Sequence, residues 1–268
     1  MKAMILAAGL GTRLRPLTDH RPKALVEIAG RTLLEITLTR LRTFGVTEFI
    51  INVHHFADMV TDYLKSKNNF GLRIEISRED ILLDTGGGLK KAAWFFLEDP
   101  KQLDEPFLLH NVDVISTIDL ARMLQFHKEN HALATLAVQS RESSRQLLFN
   151  DQLQLSGRRI NNQDWLVSNS GVCHSERSEE SASASSSPLT TRHTPLLQPL
   201  AFSGIHVISP RLLPLTTEEG VFSVISTYLR LAAQNQKILA FRADQYYWRD
   251  LGKPADLAQA AHDLQHIE

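Results

Sequence analysis

The chain opens on an unbroken apolar run, Ala3-Met4-Ile5-Leu6-Ala7-Ala8, bounded by Gly9, and a run of that length ahead of a turn signal predicts a buried strand. Leu33, Leu34, Leu38 and Leu41 follow at helical spacing, and the helix they predict ends near Gly45. Phe49-Ile50-Ile51-Asn52-Val53 reads as the next buried strand. The alternation repeats with a helix over 57–65, a strand over 72–77, a helix over 88–97 and a strand over 107–111. From Ala132 the pattern shortens to strands over 132–138, 146–149, 153–155 and 200–208. A helix over 221–234, a strand over 238–242, a short strand through Trp248 and a closing helix after Pro254 complete it.

Strands alternating with helices define an α/β protein, here a Rossmann-like α/β/α sandwich with a mixed, mainly parallel central sheet. The shorter strands after Ala132 predict a partly antiparallel half that covers the substrate. With 268 residues and 43% hydrophobic content, a single domain over 1–268 is expected. Ligands of such sheets sit at the carboxyl ends of the strands, so the Gly9 loop and Asp113, each just past a strand, are expected to share one cleft. The stretch 173–199 departs from the pattern. Its serine-rich centre has too little apolar surface to offset ordering entropy, which predicts a disordered insertion.

Composition narrows the function. A net charge of -1 and an isoelectric point near 6.8 argue against a nucleic-acid or membrane-surface binder, so any cationic cluster is a local feature. Cys173 is the one cysteine and cannot form an internal disulfide, as suits a reducing compartment. The first apolar run is too short for a signal peptide or a membrane span, and a cytoplasmic location is expected. The oligomeric state stays open.

The chemistry concentrates after the first strand. Gly9-Leu10-Gly11-Thr12-Arg13-Leu14-Arg15-Pro16-Leu17-Thr18 is followed by Arg21-Pro22-Lys23, a glycine turn with four cations. Glycine lets backbone N–H groups approach an anion closely, and the cations supply countercharge, so the segment reads as a triphosphate site. It is neither a dinucleotide fingerprint, which needs a third glycine where Leu14 stands, nor a P-loop, which needs lysine where Thr12 stands. His54-His55 do not suit a shared metal, because neighbouring strand residues point to opposite faces.

The ten ordered positions 9–18 with the spaced Pro22-Lys23 resemble the signature of sugar-1-phosphate nucleotidyltransferases. The resemblance implies the fold of the nucleotide-diphospho-sugar transferases and the joining of a nucleoside triphosphate to a sugar 1-phosphate. It also implies site residues. Arg13 would lie beside the departing phosphates and Lys23 at the reaction centre, while Ala7, Ala8, Gly9, Gly11 and Thr12, with Thr85, Gly86 and Asn111, would surround the nucleotide. Ser203 and Gly204 would lie beneath the sugar, and Asp113 and Asp250 would hold Mg²⁺. Physical chemistry agrees on two of these roles. A planar guanidinium grips two phosphate oxygens, and Mg²⁺ needs one or two carboxylates beside phosphate and water.

Asp84-Thr85-Gly86-Gly87-Gly88 and the compact length look most like uridylyltransferases acting on N-acetylmuramate 1-phosphate, so UTP with an N-acetylated sugar 1-phosphate is favoured. The alternative is a mannose-1-phosphate guanylyltransferase. Ala24, where many relatives have proline, and Val112, where glycine is common, depart from the pattern. Relatives with a second, acyltransferase activity carry a β-helix after this domain; the chain stops at Glu268 and no second activity is expected. A glycosyltransferase and a catalytically silent nucleotide-sugar-binding regulator remain as competing classes.

Overall fold

The computed structural model describes residues 1–100, 103–168, 171–174 and 196–267. In chain order the first part comprises β1 (Lys2–Leu6), the short pair β2 (Glu27–Ile28) and β3 (Arg31–Thr32), α1 (Leu33–Thr43), β4 (Glu48–Val53), α2 (Ala57–Ser66), β5 (Arg73–Arg78), α3 (Asp84–Lys91), α4 (Ala93–Leu97) and β6 (Phe107–Asn111). There follow β7 (Val114–Ser116), α5 (Leu120–Glu129), β8 (Ala134–Gln139), β9 (Arg145–Phe149), β10 (Leu155–Ile160), β11 (Gln163–Ser168) and β12 (Gly171–His174). The last part is β13 (Gln198–Ile208), α6 (Val224–Ala233), β14 (Ile238–Arg242), β15 (Trp248–Asp250) and α7 (Pro254–Ile267).

The main sheet runs β12-β11-β10-β9-β13-β6-β1-β4-β5, with β8 and β14 branching from β13. β6, β1, β4 and β5 are parallel neighbours. β13 turns the sheet antiparallel: residues 205–208 pair with β6, 201–208 with β8 and 198–200 with β9. The strand-face alternation of β1 builds the sandwich. Ala3 and Ile5 enter one core, with α1, α2, α5 and α7, while Met4 enters the other, with α3, α4 and α6. The mixed sheet with parallel strands flanked by helices is the one the alternation predicts, but from β13 outward its pairings are antiparallel except for β8 with β14. No helix among the described residues is long and apolar enough to cross a membrane.

Three elements differ from the sequence expectation, and a fourth expectation falls largely outside the described residues. α5 occupies a stretch to which no element was assigned, although Asp119 caps it by accepting from the Arg122 N–H and Leu120, Met123 and His127 form its buried stripe. The helix expected over 88–97 begins at Asp84, so the three glycines lie inside α3, and it breaks at Ala92 before α4. Of the expected 153–155 strand only Leu155 belongs to β10, which continues antiparallel into β11; the half-buried residues 158–160 and 164–167 blur the apolar pattern there. At the margins of 173–199, residues 173–174 belong to β12 and 198–199 to β13; the expected insertion between them falls on 175–195, outside the described residues.

Candidate active site

The loop after β1 is folded by its own residues. Gly11 adopts φ 64°, where side chains are disfavoured, and a Cβ there would lie 3.0 Å from the Thr18 methyl and 3.2 Å from Lys23 Cβ. Thr18 Oγ1 donates to the Gly11 carbonyl at 2.8 Å, closing the loop. A 3-10 turn over Thr12–Leu14 buries Leu14 and leaves Thr12 and Arg13 exposed beside Gly9. Ala7 and Ala8 are buried at the strand end, where the Ala7 N–H donates to Asn52 Oδ1 at 2.8 Å. Arg15 pairs with Asp19 at 3.3 Å on the surface.

Lys23 begins a second 3-10 turn with Ala24 and Leu25 buried behind it. Ala24 is fully buried, so the missing proline is replaced by core packing. From this turn the Lys23 ammonium, itself buried, donates to Asp113 Oδ2 in a short contact. Asp113 follows β6. Its backbone carbonyl accepts from the Leu251 N–H at 2.8 Å, and β7 pairs antiparallel with β15, setting Asp250 opposite Val114. Two acids remote in sequence are thereby brought to one place. Burial, then the charge of Asp113, raises the Asp250 pKa, while Lys23, Arg13 and the Gly252 backbone oppose the rise. Arg13 Nη2 lies 3.9 Å from Asp250 Oδ1. Gly252 leaves room for both: a Cβ would fall 2.5 Å from Asp250 Oδ1 and 2.6 Å from Arg13 Nη2.

Asn111 and Gly204 also meet. β13 is irregular between Phe202 and His206, Gly204 has φ 74°, and a Cβ there would touch Asn111 Nδ2 at 2.8 Å. Ser203 is fully buried, its carbonyl accepting from Trp248 Nε1 at 2.7 Å. Val112, the second departure, is buried in the core below, so its side chain leaves the cleft free.

The glycine cluster is tied to the α6 side. The Thr85 hydroxyl accepts from the Val224 N–H at 3.0 Å, and the Gly86 N–H donates to the Phe222 carbonyl at 2.9 Å. In this conformation both groups serve the loop itself. Each glycine is a close approach: Cβ atoms at Gly86, Gly87 and Gly88 would fall 2.4 Å from the Phe222 ring, 2.5 Å from the Gly220 carbonyl and 2.8 Å from Glu79 Oε1. Two residues to which the sequence reading gave no site role link this loop to the Gly9 loop. Buried Glu79 accepts from Asn52 Nδ2 at 2.7 Å and from the Leu83 N–H at 2.9 Å, while Asn52 holds Ala7. His54 is spent on the Glu79 carbonyl at 2.9 Å, and among the described residues no cluster of three or more His, Cys, Asp or Glu offers a metal site.

A glycine-rich loop after β1, a buried lysine, Asp113 after β6 and Asp250 on the antiparallel β7–β15 pair meet at one end of the parallel strands, an arrangement suited to a nucleotide-handling transferase. The chain belongs to the nucleotidyl transferase family, whose sequence pattern matches residues 2–147. Over 266 residues it is 33% identical to N-acetylmuramate alpha-1-phosphate uridylyltransferase of Caulobacter vibrioides, covering 97% of this chain and 95% of that one. Mannose-1-phosphate guanyltransferase of Gibberella zeae is 37% identical over 139 residues, which cover 52% of this chain and 37% of the relative. Among solved structures, HddC from Yersinia pseudotuberculosis complexed with GMP-PN superposes with a TM-score of 0.71 at 19% identity, covering 98% of this chain and 99% of that chain. UDP-glucose pyrophosphorylase complexed with UDP-glucose gives 0.70 at 17% identity, covering 100% and 99%. At those identities the likeness is one of fold.

Proposed function

We propose that the protein transfers a nucleoside monophosphate unit from a nucleoside triphosphate to a sugar 1-phosphate, with UTP and an N-acetylmuramate-like sugar 1-phosphate as its substrates. The convergence of Arg13 and Lys23 with Asp113 and Asp250 carries this reading. An acceptor phosphate oxygen attacks the α-phosphorus, the bond to the β-phosphate bridging oxygen breaks, and pyrophosphate departs with the bonding electrons. Arg13, exposed on its turn, is suited to the departing phosphates, and Lys23, fixed by Asp113, to charge at the reacting phosphorus. Thr12 and the glycine N–H groups offer the loop's remaining donors.

Asp113 and Asp250 fit Mg²⁺: they are two hard carboxylates, one unsettled by the other's charge, with further positions left to phosphate oxygens and water. The two acids would hold the ion, which when bound neutralises charge on the transferred phosphate. The near full-length 33% identity to the uridylyltransferase supports the base and sugar chosen. Mannose-1-phosphate guanylyl transfer is the second reading, favoured by the 37% identity over 139 residues. The cytoplasm is the proposed compartment, supported by the lone cysteine.

A pyrophosphate-release screen of four nucleoside triphosphates against a panel of sugar 1-phosphates with Mg²⁺ tests the proposal. UTP with N-acetylmuramate 1-phosphate is expected to turn over fastest. GTP with mannose 1-phosphate leading selects the second reading, and tight binding with no pyrophosphate from any pair overturns catalysis in favour of a regulator.

A further inference from the structure

Arg141 lies just past β8, outside the signature segments, and its guanidinium is held in a defined pose beside the site. Its Cζ stands 3.8 Å from the centroid of the Trp248 ring, and Nη2 donates to the Phe202 carbonyl at 2.7 Å. Trp248 is itself pinned to the Ser203 carbonyl and lies two residues from Asp250 on β15. The Arg141 backbone carbonyl accepts from Gln146 Nε2 at 3.4 Å. Yet the charge is incompletely answered. Nε is buried without a hydrogen-bond partner, and among the described residues Asp250 acts on the guanidinium through space without forming an ion pair. A half-buried guanidinium with a fixed plane and spare N–H groups is a receptor for a planar or tetrahedral oxyanion. Arg40 and Arg158, the other arginines among the described residues with a buried unpartnered Nε, lie away from this edge, Arg40 against Ile118 and Arg158 over Trp165.

We propose that Arg141, braced by Trp248 and the Phe202 carbonyl, binds an oxyanion of the acceptor sugar. The inference rests on the acceptor being a sugar phosphate. The shared chemistry is a phosphate or carboxylate oxygen pair, supplied either by the 1-phosphate or by a carboxylate on the sugar. Loss of a charged hydrogen-bond donor of this kind weakens binding by about tenfold or more.

The test titrates the full-length protein calorimetrically with glucose 1-phosphate and, separately, with N-acetylmuramate 1-phosphate, comparing wild type with Arg141→Gln and Arg141→Lys. Arg141→Gln is expected to raise the dissociation constant about tenfold. A rise for both ligands identifies the 1-phosphate, and a rise for the second alone identifies the carboxylate; both support the proposal. Arg141→Lys restores charge without the stacked fork and is expected to recover part of the affinity; it also carries the test should Arg141→Gln fail to fold. In steady-state pyrophosphate release, the KM for the acceptor rises about as much while the KM for the triphosphate stays within about twofold. Unchanged affinity in a folded Arg141→Gln, an effect confined to the triphosphate, or a wild type that binds neither sugar phosphate overturns the inference. Binding that depends on Arg141 without any pyrophosphate release would instead sink the proposed reaction and leave this site standing.

Discussion

Gly252 shows how closely the site residues are fitted, since the space a methyl group would need is taken by the Asp250 carboxylate and the Arg13 guanidinium. Gly252→Ala is therefore expected to lower kcat at least about tenfold while the melting temperature stays within a few degrees, read by pyrophosphate release and calorimetry. Asp113→Asn removes the charge that the Lys23 ammonium answers and is expected to lower turnover by about 10² to 10³ with the fold retained. Arg13 and Lys23 are legible from the ordered positions around them. Asp113 is legible as an acid after a strand and Asp250 only through the family resemblance of the residues around it, and their meeting depends on the β7–β15 pairing, which periodicity does not reveal. Asn52 and Glu79 carry no spacing signal at all. A polar residue inside an apolar strand and a lone acid after another become a bridge only when β4 and β5 lie side by side.

α3 is the element whose role the sequence misplaces. Three consecutive glycines disfavour a helix by roughly 1 kcal/mol each and suggest a loop, yet here they are helical, and Phe222, Gly220 and Glu79 stand so close that side chains at these positions would not fit. Gly86→Ala forces the Phe222 ring aside. The expected result is a loss of about 1–3 kcal/mol in urea unfolding, with a rise in the KM for the triphosphate as the α3 and α6 loops separate. An unchanged unfolding midpoint would mean that Phe222 yields freely. α5 went unread, although its Asp119 cap and buried stripe are ordinary helix signals. β10 and β11 escaped the reading because partly exposed strands of mixed polarity resemble loops.

Across the whole molecule, two cores clamp one sheet, and their polar inclusions set its pH response. Burial is the main cause that lowers His127 to about 4 and His206 to about 3. His127 lies between Thr135 and Ser209, and His206 against Tyr228. The unfolded chain protonates these rings near 6.5 and the folded one does not, so stability is full above that pH and is lost as pH falls toward 4. His127 contributes on the order of 3 kcal/mol of stability in this way and His206 on the order of 5 kcal/mol. The urea midpoint is expected to drop between pH 7 and pH 4.5, and less steeply in His127→Gln; a flat profile would show that the rings titrate freely. The alternation of strands and helices foretold the sandwich, and the joining of its two ends at Asp113 and Asp250 is what makes it a candidate enzyme. The most direct test of that joining is the reverse reaction, formation of UTP from a UDP-sugar and pyrophosphate with Mg²⁺, in wild type, Asp113→Asn and Asp250→Asn. The account predicts robust UTP formation that EDTA abolishes and that either substitution lowers by about 10² or more; wild-type rates in both variants would contradict it.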